Sequence, residues 1–290
     1  MSAATHPSDR YYVPHGTHWP ILGSIGLFLI TGGFAMWLNR VPAGKWIAWT
    51  GAAILAVMLF GWFGEVIKES VKGLYNDQVD KSFRWGMAWF IFSEVAFFAA
   101  FFGALFYARQ LAVPWLAGEG NNFYTNVLLW PEFENAWPTS GPAGQPFETI
   151  PAWGVPALNT AILLTSGVTI TIAHHMLRAN KRLALKIWLA ATFLLGFIFL
   201  GFQAEEYVHA YRDLGLRLDS AGIYGSTFFM LTGFHGLHVL IGSIMLFVVW
   251  LRVMRGHFTP ERHFAFEAVA WYWHFVDVVW LGLFVFVYWL

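Results

Sequence analysis

Polar positions along this 290-residue chain are sparse and bunched, and the apolar runs between them are long. Seven runs approach or exceed the roughly 20 largely apolar residues that a bilayer-spanning helix needs. They cover residues 19–38, 46–67, 85–108, 155–176, 187–203, 226–251 and 264–290. None alternates polar and apolar residues as barrel strands do, and lipid offers the backbone no partner outside a helix or a closed barrel. The fifth run is the shortest and has room to continue into "AEEYVHA". The pattern predicts an all-α, polytopic membrane protein with a single membrane domain over 1–290. A polar N-terminal segment, 1–18, precedes it, and a Pro- and Gly-rich extramembrane loop, 111–151, interrupts it. No internal repeat or low-complexity tract is visible.

Composition agrees. The chain is 58% hydrophobic, 19% aromatic and only 12% charged, against about 25% charged residues in a soluble domain. So few charges cannot cover a soluble core of this size. The zero net charge argues against a nucleic-acid partner. The absence of cysteine excludes disulfides, thiolate metal sites and cysteine nucleophiles. The first twenty residues lack a short apolar core with a cleavage site, so no signal peptide is expected and the first span directs insertion.

Basic residues orient the spans. With the N-terminus inside, twelve of the 17 fall on inner segments: Arg10, Lys68, Lys72, Lys81, Arg84, Arg178, Lys181, Arg182, Lys186, Arg252, Arg255 and Arg262. Arg40, Lys45, Arg109, Arg212 and Arg217 fall outside, with Glu119, Glu132, Glu134, Glu148, Glu205, Glu206, Asp213 and Asp219. The positive-inside rule then predicts a cytoplasmic N-terminus and a C-terminus outside.

Some polar residues lie within the spans. Glu94, in "MAWFIFSEVAFFAAFF", is nine residues past Trp85, about 14 Å along a helix axis and near mid-bilayer. A charge there is costly, so Glu94 reads as a neutral, hydrogen-bonded structural acid; lipid or subunit contact and a proton path are the alternatives. The last span carries Glu267, His274 and Asp277, which with His263 form one stripe within about 80° of helix arc. The sixth places His235 and His238 three apart on one face. The fourth carries Asn159, Thr160, Thr165, Ser166, Thr169 and Thr171 and ends in His174 and His175. These faces are expected to meet inside a helix bundle. His235 and His238 do not by themselves make a metal site. Glu206 and His209 form a single Glu-x-x-His pair where di-iron bundles use two. No phosphate loop or nucleophile–base arrangement appears.

Together, "RWGMAWFIFSEVAFFAAFF", "PALNTAILLTSGVTITIAHH", "YGSTFFMLTGFHGLHVLIG" and "HFTPERHFAFEAVAWYWHFVDVVWLGLFVFVYW" resemble cytochrome c oxidase subunit III of the bacterial type. The resemblance runs from Trp19 onward and is most specific around Glu267, Trp271, Trp273, His274 and Asp277. It implies seven helices in two arms, one to two and three to seven, around a lipid-filled cleft. It also implies no catalytic residue, redox cofactor or metal in this chain, with haem and copper in partner subunits I and II. The function implied is a non-catalytic subunit of a proton-pumping oxidase in a bacterial inner membrane, stabilising the catalytic subunit, holding phospholipid and supporting proton uptake. Seven spans favour the cytochrome c branch over quinol oxidases.

By the same resemblance Lys68, Glu69 and Arg252 are lipid-contacting positions, with Lys68 standing where the family has arginine. Glu94 matches its buried helix-three carboxylate. Loop 111–151 is longer than is usual in the family, and the N-terminal segment matches poorly. Without the resemblance, a solute or proton transporter is the rival class, but repeats and broken helices are not evident. A histidine-box oxygenase is a weaker rival.

Overall fold

The computed structural model describes residues 11–13 and 16–290. Arg10 and most of the segment 1–18 lie outside the described residues. Among these residues the secondary structure is helical, with no strand. The long helices are α1 (Trp19–Leu38), α2 (Ala43–Val71) and α3 (Asp77–Tyr107). Two short ones follow, α4 (Val113–Leu116) and α5 (Phe123–Leu129). The remainder are α6 (Val155–Arg178), α7 (Arg182–Arg212), α8 (Gly222–Met254) and α9 (Phe264–Leu283). All seven expected spans are helices long and apolar enough to cross a membrane.

Most helices outrun the apolar run that predicted them. α7 continues through "AEEYVHA" to Arg212, because nothing there breaks a helix before Gly215. The third span is the larger departure. From Tyr107 it passes through a π-helical turn, Ala108–Ala112, into α4, so helix occupies 77–116 and the irregular connection starts after it, not at 111. Pro114 does not stop it, since in a first turn its missing N–H would have no partner anyway. The loop is ordered against the α7–α8 turn: the Gln145 and Glu148 amides donate to Ser220 and Leu214 carbonyls at 3.0 and 2.8 Å.

Glycine finishes two of the helices, α2 and α8. Gly73 after α2 and Gly256 after α8 adopt φ of 70° and 73°. Each lets the next amide reach back to the last turn, Leu74 to Glu69 O and His257 to Arg252 O. That left-handed position costs glycine no Cβ clash.

The chain divides into two compact units, up to Trp85 and from Gly86 onward. In the first, α1 and α2 pack through glycines seven residues apart, Gly26 and Gly33 on one helix, Gly44 and Gly51 on the other. A Cβ at Gly51 would lie 2.7 Å from Gly26 O, and one at Gly33 would strike the Ala48 backbone. Small residues let the backbones approach where lipid supplies no hydrophobic drive between helices.

The second unit is built around Trp273 of α9, which is fully buried. Its indole occupies the gaps left by Gly196 of α7 and Gly242 of α8, where a Cβ would sit 2.6 and 2.8 Å from the ring. Its Nε1–H donates to Ser166 Oγ of α6 at 2.9 Å. One side chain thus ties four helices together. Trp280 repeats the device two turns on, donating to Thr160 Oγ1 at 2.9 Å.

Candidate functional site

The histidines and carboxylates of the third to seventh spans fall into separate clusters, each held between helices of the second unit, while Glu65 of α2 accepts from Trp19 Nε1 at 2.6 Å in the first.

The pair nearest mid-span joins α3 to α8. His238 Nε2 lies 3.0 Å from Glu94 Oε2, and the two side chains are 11% and 21% exposed. His238 Nδ1 is 2.6 Å from Phe234 O, a carbonyl that can only accept, so Nδ1 carries a hydrogen. One further hydrogen then lies between Nε2 and the carboxyl. Phe97, Phe98, Phe275 and Tyr272 surround the imidazole. The sequence does not foreshadow His238 as the hydrogen-bond partner of Glu94.

His235 does not join His238. Its ring is fully buried against Phe199 and Trp280, with Nε2 3.2 Å from Val276 O. The two histidines face different neighbours.

The α9 stripe meets α6 as expected, but splits along its length. Asp277 is buried; His274, at 47% side-chain exposure, is not. His274 Nδ1 stands 3.6 Å from Asp277 Oδ2, and its Nε2 is 3.3 Å from Thr171 Oγ1. Gly167 opposite leaves room for the carboxylate, since a Cβ there would come within 2.5 Å of Asp277 Oδ2. These residues line an open groove of about 420 Å³ between α6 and α9, otherwise walled by apolar side chains such as Leu164, Val168 and Val278.

The other half of the stripe sits at the basic end. There Glu267, 17% exposed, lies beside buried His263 and beside His174 of α6. Nothing in the sequence spacing joins His174 to His263; the α6–α9 packing does. The opposite end holds a buried carboxylate that the sequence reading assigned to an outer segment. Glu206 points into the bundle and accepts from Tyr288 Oη at 2.5 Å. His209 turns away to Asp213 at 2.7 Å, so the Glu-x-x-His pair does not converge.

The expected lipid positions differ among themselves. In the first unit Lys68 is exposed, while Glu69 accepts from Tyr12 Oη at 2.8 Å and Tyr75 Oη at 2.7 Å. Burial first, then the Glu69 hydrogen bond and charge, hold the Tyr75 hydroxyl above its ordinary 10.0. In the second unit Arg252 is buried, its guanidinium 4.4 Å from the centre of the Phe258 ring and its Nε without a hydrogen bond among the described residues. An aromatic ring in a buried position, not an exposed one, meets this cation.

The comparisons with known proteins bear on what these helices belong to. A family model described as cytochrome c oxidase subunit III matches residues 9–290. Proteins named cytochrome c oxidase subunit 3 from Gadus morhua and Carassius auratus are 41% and 42% identical over 286 and 285 residues. That of Pongo pygmaeus is 43% identical over 285 residues, and each alignment covers 98% of both chains. Similarity at this level across whole chains, together with seven membrane-length helices, shows that the chain is a multi-pass membrane protein belonging to the cytochrome c oxidase subunit III family.

Proposed function

We propose that the chain serves as the non-catalytic third subunit of a proton-pumping cytochrome c oxidase, assembling with subunits I and II, which hold the haem and copper, and with phospholipid. The full-length family match carries this reading. The geometry supports it, because several intramembrane polar groups are paired across helices in a scaffold role: Glu94 with His238, Trp273 with Ser166, Glu206 with Tyr288. Cover for the outer faces is a further need. Only 11% of the most apolar window is buried in α1, in α2 and in the 77–116 helix, against 50% in 264–289. Lipid and neighbouring subunits supply that cover. The basic ends of α2, α6 and α8 face the inner side, giving an N-terminus inside and a C-terminus outside. Lys68, with Glu69, and Arg252 contribute to lipid head-group contact there. Histidines on this side, His174, His175, His257 and His263, support proton uptake by subunit I.

Removal of the chain from the purified oxidase tests the proposal. Haem spectra and initial turnover with reduced cytochrome c should persist, while activity decays during sustained turnover. Immediate loss of all oxygen reduction would refute the non-catalytic assignment.

A further inference from the structure

His174 near the C-terminal end of α6, His263 at the N-terminal cap of α9 and Glu267 one turn into α9 converge at the basic end of the second unit. His174 Nε2 and His263 Nε2 are 3.2 Å apart, His263 Nε2 and Glu267 Oε1 3.0 Å, and His174 Nε2 and Glu267 Oε1 3.8 Å. We propose that these three side chains form a binding site for a divalent transition-metal ion of the zinc class, entered from the inner membrane surface.

Three observations carry it. The first is the size of the triangle. Zinc bonds of about 2.0–2.1 Å in a tetrahedral arrangement separate neighbouring ligand atoms by roughly 3.3–3.4 Å. The three edges bracket that value and need shifts of only a few tenths of an ångström. A facial octahedral set with similar bonds would want edges of about 3.0 Å all round, which the 3.8 Å edge resists, while a meridional set would want one edge of about 4.2 Å. The donors, two imidazole nitrogens and one carboxylate oxygen, are a set zinc accepts with a fourth position left open.

The second is the support behind the ligands. His263 Nδ1 is 3.1 Å from Thr259 O, and a carbonyl acceptor there fixes the hydrogen on Nδ1 and leaves the Nε2 lone pair for a metal. The Thr259 turn is braced in its own right, its amide donating to Arg262 O at 3.2 Å and its Oγ1 accepting from Arg262 N at 3.1 Å. Next to it Arg182 Nη1 donates to Phe258 O at 2.8 Å. The His174 ring lies against Phe266, 5.6 Å between centroids.

The third is hydrogen count. With Nδ1–H committed to Thr259, His263 Nε2 faces two neighbours, an imidazole nitrogen and a carboxylate. A single hydrogen on Nε2 can point at one of them and not both. A cation above the triangle serves all three atoms at once. Access is available, because His174 keeps 28% of its side chain exposed while His263 keeps 8%. Binding would clamp the end of α6 to the start of α9.

The test uses Zn²⁺ with the full chain in its purified native complex. Wild-type should hold one more zinc equivalent, by chelator competition, than the His174→Ala and His263→Ala complexes. Glu267→Gln should weaken that equivalent by more than the roughly 100-fold at which outer-shell losses saturate. His175→Ala, whose Nδ1 is taken by Thr171 O at 2.8 Å, should leave it unchanged. A second measurement needs no variant. Zinc should protect His174 in the wild-type complex from diethylpyrocarbonate, read peptide by peptide by mass spectrometry, and leave His175 reactive. Equal zinc content and affinity across wild-type, His174→Ala and His263→Ala overturns the site, and so does unprotected His174 in zinc-saturated wild-type.

Discussion

Replacing Glu94 and His238 singly and together tests whether the pair is a matched unit. Glu94→Leu leaves His238 Nε2 without its partner among Phe97, Phe98, Phe275 and Tyr272. A buried polar group stranded in this way costs about 1–3 kcal/mol. Interhelical hydrogen bonds within membranes average nearer 0.6 kcal/mol and reach about 1.7, so roughly 1–2 kcal/mol is expected. His238→Phe strands the Glu94 carboxyl for a similar loss. The double variant puts apolar groups of comparable size on both sides of a contact already ringed by aromatics, and should sit within about 1 kcal/mol of wild-type. The coupling energy is then about 1–4 kcal/mol in favour of the pair. Glu94→Gln, whose amide N–H can donate to the same Nε2 lone pair, should lose less than Glu94→Leu and leave the proton-to-electron ratio of reconstituted oxidase unchanged. Reversible unfolding of the full chain in mixed micelles of denaturing and mild detergent gives the four free energies. Losses that add within about 0.5 kcal/mol would mean the two side chains are not coupled, and the explanation of Glu94 in the membrane would fail.

Other expectations are simpler. Gly33→Leu should cost at least the roughly 1–3 kcal/mol of an overpacked contact, because its Cβ meets the Ala48 backbone, whereas Gly32→Leu, with nothing within 4 Å of its Cβ, should be nearly silent in the same assay. Burial, then the charges of Arg252 and Arg255, hold His257 below its ordinary 6.5. The unfolded chain therefore binds the proton first, so stability is full above about pH 6.5 and falls as pH drops below it. His257→Asn should flatten that part of the pH profile, and an unchanged slope would count against the assignment. Replacing both Lys68 and Arg252 with Ala should reduce co-purifying phospholipid, measured by phosphorus assay; an exposed cation such as Lys68 contributes about 1 kcal/mol to anionic-lipid attraction. Arg252→Ala alone should destabilise as well, since it empties the space over Phe258.

The spans were legible because lipid imposes one rule on every residue in a run: twenty apolar side chains and an internally satisfied backbone. That rule acts along the chain, and so does the excess of Lys and Arg between alternate spans. α1 begins and ends where the hydrophobic pattern does, and the family motifs in α3, α6, α8 and α9 are contiguous strings. Helix ends were less legible. Length beyond the apolar run, as in α7 and in the continuation of α3 through Pro114, depends on capping and on what the extra turns touch.

Pairing across helices was a matter for the tertiary structure alone. Glu94 and His238 are 144 positions apart, His174 and His263 are 89 apart, and Glu206 and Tyr288 are 82 apart. A polar residue in a span announces that it needs a partner, but the crossing of two helices chooses which one. Those crossings follow from which glycines face which rings: Gly196 and Gly242 around Trp273, Gly167 beside Asp277. Helical periodicity gives each residue an angle about its own axis; only packing, which couples all the helices at once, turns those angles into distances.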